Sequence, residues 1–277
     1  MSEVLLASHL DAPQQRVALK RALPPFAGEP GIQRALEREA RRLAQVTSPH
    51  VVRLLGAGQT RGGLVLVLEW IEGVPLSFLL QAEARRGERL GLPERALLLE
   101  DLLRGLTAIH ETREEGRALV HGDLNPSNVL IGFDGAARLC DLGLSALEGE
   151  QAGGAFQGSA AYTAPERWSQ GVQGQRGDVF AAGVILWEGL RGERLFAGAG
   201  VLAALQRTQE APIPAVEEGH PQLQRWSAPI REALERDPAR RLPSGAALLA
   251  RWGAAERPER SAVGGQVRAL VSLWLKG

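Results

Sequence analysis

The first apolar runs of the chain predict two strands, residues 4–9 and 15–23, joined by a turn at Asp11-Ala12-Pro13. The period then changes. Over residues 31–46, Ile32, Leu36, Ala40, Leu43 and Val46 recur at three-to-four spacing, which predicts an amphipathic helix closed by Pro49. Two further strands, residues 51–55 and 64–70, flank a stretch holding Gly56, Gly58, Gly62 and Gly63. The first 73 residues therefore read as a small strand-rich unit with a single helix.

After Glu72-Gly73 the pattern turns helical. Residues 76–86 and 93–110 predict helices, the second with a continuous stripe of Leu97, Leu98, Leu102, Leu106 and Ile109. Short strands follow at 129–131 and 137–140. Residues 145–161, rich in Gly, Ala, Gln and Ser, offer little to bury and predict an exposed, mobile loop. Residues 179–187 are apolar on every side, as expected of a central core helix. Later helices are expected over 225–234 and 245–252, a linker over 258–265 and a short terminal helix over 267–275. No internal repeat is apparent.

Composition narrows the function classes. The 277 residues balance 32 Lys and Arg against 32 Asp and Glu, so the overall charge calls for neither nucleic acid nor an anionic membrane. A single cysteine, Cys140, excludes an internal disulfide and a thiolate metal cage and fits a reducing compartment. The first seven residues are too short and uncharged for a signal peptide, and residues 179–190 too short for a membrane span. A soluble, cytoplasmic protein is expected. The basic residues are nearly all arginine; the two lysines are Lys20 and Lys276. A lysine inside the strand-like Arg16-Val17-Ala18-Leu19-Lys20 marks a place that wants a compact ammonium rather than a guanidinium fork.

The strongest chemical signal is Val120-His121-Gly122-Asp123-Leu124-Asn125-Pro126-Ser127-Asn128-Val129-Leu130. Asn128 lies five residues after Asp123, and Asp141, in Asp141-Leu142-Gly143, lies 18 after it. Two oxygen ligands and a hydroxyl-orienting carboxylate are the donor set of metal-assisted phosphoryl transfer from a nucleotide.

With Val17-Ala18-Leu19-Lys20 these segments resemble a eukaryotic-type Ser/Thr protein kinase domain of the sort bacteria encode. Residues 66–73 resemble its gatekeeper and hinge, and 158–166, ending Ala164-Pro165-Glu166, the end of its activation segment. Residues 178–188 resemble its central helix, and Asp237-Pro238-Ala239-Arg240-Arg241 its late Asp-Pro-x-x-Arg stretch. The resemblance implies an α+β, bilobal fold. A kinase-like domain is expected over 1–253 (small lobe 1–71, large lobe 74–253), then a linker and short helix over 254–277.

It also implies roles. Lys20 would bridge the α- and β-phosphates of ATP, held forward by Glu39, whose register is set by Leu43 four residues on; Glu37 is the competing acid. Asp141 would be the main Mg²⁺ ligand and Asn128 would hold a second ion. Asp123 would orient the substrate hydroxyl. Val4 and Ala18 would cover one face of the adenine and Leu130 the other. The Glu69 carbonyl and Ile71 amide would read its edge, with Leu68 as gatekeeper. Leu43, Leu54, His121 and Leu142 would form a column between the lobes, His121 being a packed rather than catalytic histidine. Glu166 and Arg241 would pair beneath the substrate platform, and Asp178 would hold the catalytic loop through backbone hydrogen bonds.

Two departures qualify the activity. Met1-Ser2-Glu3-Val4 resembles only the last residues of the family's glycine-rich loop, with Ser2 at its third glycine position. Either translation starts further upstream or the phosphate lid is missing; as given, nucleotide affinity should fall and the small sheet should expose an edge. Asn125 replaces the lysine that neutralises the migrating phosphoryl group, a loss of roughly 2–4 kcal/mol of transition-state stabilisation. No neighbour offers a substitute, since Arg138 lies on a different predicted strand. Gly122 replaces the arginine that would grip an activation-loop phosphate, so Ser145 or Ser159 should not act as arginine-latched switches.

Three readings remain open. The first is Ser/Thr phosphorylation of protein substrates. The second is a nucleotide-binding pseudokinase acting through a signalling partner. The third is a small-molecule phosphotransferase, which also carries His-Gly-Asp but lacks the Ala-Pro-Glu platform.

Overall fold

The computed structural model describes residues 2–142, 146–147, 160–171, 174–196, 198, 200–253 and 256–274. Ser145, Ser159 and Gly143 lie outside these residues, as does most of the loop expected over 145–161.

A four-stranded antiparallel sheet and one helix build the N-terminal region. Strands β1 (Ser2–His9), β2 (Ala12–Ala22), β3 (Leu54–Thr60) and β4 (Gly63–Glu69) pair in the order β1-β2-β4-β3. On β2 the alternation buries Ala18, Lys20 and Ala22 on one face, and opposite them on β4 sit Leu68 and Leu66. Helix α1 (Pro30–Leu43) starts on a proline, which fixes its first turn, and buries Leu36, Glu39 and Leu43 along one stripe.

The larger C-terminal region is mainly helical. Its elements begin with β5 (Gly73–Pro75), α2 (Leu76–Arg86) and the 20-residue α3 (Leu92–Glu111). Strands β6 (Arg113–Glu114) and β7 (Arg117–Val120) lead to a hairpin of β8 (Val129–Gly132) and β9 (Ala137–Leu139). Strand β10 (Ala146–Leu147) pairs with β7. Helices α4 (Pro165–Gln170), α5 (Gln175–Arg191), α6 (Val201–Glu210), α7 (Ser227–Ala233), α8 (Gly245–Trp252) and α9 (Arg260–Trp274) complete the chain. Helix α5 runs through the centre, buried from Asp178 to Leu190 as its all-round apolarity requires. The fold is bilobal: a β-rich N-terminal region with one helix, and a larger helical C-terminal region.

Strand β3 runs on through Gly56 and Gly58, where a break between strands is expected, and three further elements differ from the sequence expectation, each for a local reason. Val51 and Val52 are buried but do not enter the small sheet. Val51 forms a parallel bridge to Leu139, and the Val52 amide donates to the Leu139 carbonyl at 2.8 Å, so this segment ties the small region to the β8–β9 hairpin. The helix expected over 225–234 is split: a 3-10 turn at Pro221–Trp226 precedes α7. Most of the linker expected over 258–265 is instead the first part of α9, which starts at Arg260, because Val263 joins Val267 in a fully buried contact with the body. Among the described residues no helix is long and apolar enough to cross a membrane.

Candidate active site

Lys20 stands on the buried face of β2, opposite Leu66 on one side and Val4 on the other. Its ammonium meets both oxygens of Glu39 on α1, at 2.7 and 2.8 Å. It also donates to Asp141 Oδ1 at 2.7 Å. The register explains the choice of acid: Glu39 lies on the inner stripe with Leu36 and Leu43, whereas Glu37 is exposed. Burial works against the Lys20 charge, but the Glu39 carboxylate and then Asp141 outweigh it, so the ammonium's pKa is raised.

Asp141 follows β9 directly and adopts φ 63°, in the left-handed region. For an aspartate this costs roughly 1–3 kcal/mol, the kind of local strain that clusters at functional sites. Next to it, Cys140 has its thiol pushed up to about 12, by burial first and by the Asp141 charge second. The Cys140 amide donates to the Asn128 carbonyl at 3.0 Å, which brings Asn128 beside Asp141 at one end of the hairpin.

The loop between β7 and β8 carries Asp123. The amides of the two residues just before Asp123 are held by Asp178, at the start of α5. One Asp178 oxygen accepts from the His121 amide at 2.6 Å and the other from the Gly122 amide at 3.0 Å. His110 Nδ1 accepts from the Gly245 amide, so its proton sits on Nε2 and is donated to Asp178 at 3.0 Å. Gly122 has φ 78°, a conformation open to glycine without strain. His121 is fully buried, and its Nδ1 accepts from the Asp123 amide at 3.3 Å.

Asn128 donates through Nδ2 to the Asp123 carbonyl at 2.8 Å and to its carboxylate at 3.2 Å. Its amide oxygen is thereby the atom with metal-binding chemistry. Asn125 is buried and occupied locally: Oδ1 caps the 3-10 turn Pro126–Asn128 by accepting from the Ser127 amide at 2.9 Å, and Nδ2 donates to the Asp123 carbonyl at 3.0 Å. Among the described residues no cluster of three His, Cys, Asp or Glu forms a self-sufficient metal cage. The oxygens of Asn128 and Asp141 are hard donors, and two such donors suit Mg²⁺ only when phosphate oxygens and water complete its shell.

The other sequence-predicted residues lie on β1, β2, β4 and β8 or just beyond β4. Ala18 pairs with Leu68 on one side and with the half-exposed Leu6 on the other, so the β2 face continues onto β1 through Leu6 and Val4. Leu68 is buried, while Glu69 and Ile71 lie at the end of β4 and just beyond it. The Glu69 carboxylate accepts from the Arg53 amide at 2.8 Å. Leu130 is half-buried on β8, between Pro75 of β5 and Arg138 of β9.

Arg241 is fully buried and forks onto both oxygens of Glu166 at 2.6 and 3.0 Å. Its remaining donors reach the carbonyls of Glu235, Arg176 and Arg236 at 2.6, 2.8 and 3.1 Å. The sequence matches the protein kinase domain over residues 1–252. The chain belongs to the protein kinase family.

It is 30% identical over 257 residues to the tyrosine-protein kinase MasK of Myxococcus xanthus (strain DK1622), covering 90% of this chain and 40% of MasK. It is 32% identical over 247 residues to the serine/threonine-protein kinase PknL of Mycobacterium tuberculosis (strain ATCC 25618 / H37Rv), covering 86% of this chain and 58% of PknL. With the serine/threonine-protein kinase PknB of the same strain it shares 28% over 261 residues, 90% of this chain and 40% of PknB. The chain thus spans between 40% and 58% of the length of these relatives.

One residue of this site has no signal in the sequence. Arg167, on α4, donates through Nη1 to the Gly122 carbonyl and lines a cavity with Gly122, Asp123, Thr163 and Asp178. Burial lowers its pKa against the opposing pull of Asp178 and Asp123, so its charge is felt at Asp123. By contrast Arg138 is taken by Asp134, at 3.1 and 2.5 Å.

Proposed function

We propose that the chain binds Mg–ATP between its two regions and transfers the γ-phosphoryl group to Ser or Thr hydroxyls of protein substrates. The observation that carries this reading is the ammonium of Lys20 held between Glu39 and Asp141. A lysine so placed is a point charge aimed at polyphosphate, with its position fixed before the ligand arrives. Ala18, Val4 and Leu130 would sandwich the base, the Glu69 carbonyl and Ile71 amide would read its edge, and Leu68 would close the back. Asp141 and Asn128 would hold magnesium, which when bound neutralises charge on the phosphates. Asp123 would accept the hydrogen bond of the incoming hydroxyl and aim its oxygen. Residues 1–253 would be the catalytic unit, and the lone Cys140 fits the reducing cytoplasm.

The Glu166–Arg241 fork supports a protein substrate, because in this reading it would brace a substrate platform that a small-molecule enzyme does not need. A second reading, a nucleotide-binding pseudokinase, is favoured by Asn125. Its amide is committed to capping a turn and supplies no cation to the migrating group.

The test is transfer of radiolabelled phosphate from ATP to Ser, Thr and Tyr peptides, with Asp123→Ala alongside, and calorimetry with and without magnesium for the native chain and Asp141→Ala. Transfer to Ser or Thr peptides that Asp123→Ala abolishes supports the kinase reading. Magnesium-dependent binding without transfer supports the pseudokinase. Equal ATP binding by native chain and Asp141→Ala removes the metal site altogether.

A further inference from the structure

Helix α9 lies outside the matched residues 1–252, yet it is bonded to the hairpin that carries the candidate metal ligands. Arg260, its first residue, forks onto Asp101 of α3, Nη1 to Oδ2 at 2.5 Å and Nη2 to Oδ1 at 2.7 Å. The same Nη1 donates to the Gly135 carbonyl at 2.8 Å, at the tip of the β8–β9 hairpin. Asp101 is fully buried, and its Oδ2 also accepts from the Ala137 amide at 3.1 Å, the first residue of β9. His50 adds a third tie: its ring lies 3.5 Å from Asp101, and its carbonyl accepts from the Leu139 amide at 2.9 Å.

The backbones of helix and hairpin touch. A methyl group on Gly264 would lie 2.0 Å from the Phe133 carbonyl oxygen, and one on Gly135, at φ 78°, would lie 1.9 Å from the Arg260 carbonyl oxygen. Two glycines facing each other are therefore what allows α9 to seat. Further along, the Arg268 guanidinium stacks 4.5 Å over the Phe133 ring and stands 3.8 Å from Glu72. The Phe133 amide in turn donates to the Glu72 carbonyl at 2.8 Å, just past Ile71. Val263 and Val267 are fully buried in this seat.

One hairpin thus has Asn128 immediately before it and Asp141 two residues after it, and α9 grips its tip and its second strand. We propose that Arg260 is a positioning residue for the magnesium–nucleotide site, acting through Asp101 to hold the β8–β9 hairpin in the register that brings Asn128 and Asp141 together. The proposal rests on the reading of those two residues as the metal ligands. The sequence hid the contact, because residues 258–265, with Arg260, read as a linker while Asp101 lies within the helix expected over 93–110.

The experiment uses the full chain. Amide hydrogen exchange of ligand-free protein is read at Ala137, Leu139 and Cys140, and Mg–ATP affinity is measured by calorimetry. The proteins compared are the native chain, Arg260→Met, Arg260→Lys and, as a surface control, Arg257→Met. Arg260→Met is expected to speed exchange selectively at those three amides and to weaken Mg–ATP binding roughly tenfold, within the usual range of site-to-site couplings. ATP without magnesium should bind almost as before. Arg260→Lys, which keeps the charge but loses the fork, should fall between, and Arg257→Met should match the native chain. Should Arg260→Met yield too little folded protein, Gly264→Ala leaves every charge in place, forces the helix off the turn and is expected to give the same pattern. Uniformly faster exchange across the whole chain with unchanged Mg–ATP affinity overturns the proposal, because it marks a merely structural pair. A native chain that binds no Mg–ATP overturns the function reading and this proposal together. A native chain that binds while the variants bind equally well overturns this one alone.

Discussion

Lys20 and Asp141, 121 residues apart in sequence, meet at 2.7 Å. Lys20 belongs to the small sheet and Asp141 follows the β8–β9 hairpin, so this ammonium adds a charged tie to the backbone bonds that join the two regions at Leu139. It is also the only described lysine, and two carboxylates share it. In the proposed reaction, phosphate oxygens would compete with Asp141 for that ammonium and leave the carboxylate to a cation.

Lys20→Met should abolish phosphoryl transfer and also destabilise the protein, because it leaves the buried Glu39 without its counter-charge. Stranding one member of a buried pair costs roughly 3–5 kcal/mol. Adding Glu39→Gln removes the stranded charge, so urea unfolding should show the double variant recovering much of that loss while transfer stays absent. If both variants unfold with the same midpoint, the pair carries no stability.

Asn125→Lys separates two roles. A cation at this position should raise any residual transfer rate, since the amide supplies only a partial dipole to the migrating group. The structure adds a cost: Asn125 caps the turn that leads to Asn128, and losing such a cap destabilises by about 1 kcal/mol. A faster enzyme with a lower melting temperature is expected; an unchanged rate would mean that the residue is only a cap.

The elements were legible wherever one period dominated. The stripe through Leu36, Leu43 and their neighbours set α1, and the all-round apolarity of residues 179–187 marked the buried α5. Val51 and Val52 misled because burial alone does not say which partner a strand-like run will find; theirs is β9, nearly 90 residues away. Pairings such as Arg241 with Glu166 could be named because the resemblance implies them. Arg167 with Gly122, and Arg260 with Asp101, could not: each joins a helix residue to a distant backbone or core acid, and nothing local in the sequence announces the partner.

Arg241→Ala should be among the most destabilising single changes in the large region. It would strand Glu166, for roughly 3–5 kcal/mol, and leave the carbonyls of Glu235, Arg176 and Arg236 without their donor. Arg241→Lys should recover little, because an ammonium cannot reproduce a fork that serves five acceptor atoms. Thermal unfolding of the two variants checks this; a lysine variant as stable as the native chain would show that charge alone suffices.

Asp178 gives the fold an acid-sensitive joint beneath Asp123. Burial opposes its charge, but the hydrogen bond from His110, the nearby His110 and His121 rings and the Gly122 amide outweigh burial, so the carboxyl's pKa is lowered from its ordinary value of 3.8. A group whose pKa is depressed on folding contributes stability that is fully present above the unfolded value and is lost as pH falls through the folded one. The native chain should therefore be more stable than Asp178→Asn at neutral pH, by roughly 2–3 kcal/mol for hydrogen bonds to a charged acceptor. That gap should stay constant down to about pH 5 and then close through pH 4 and below. Urea unfolding of both proteins from pH 7 to pH 3 reads it directly. A gap that persists unchanged into acid would mean that Asp178 holds the His121 and Gly122 amides without depending on its charge.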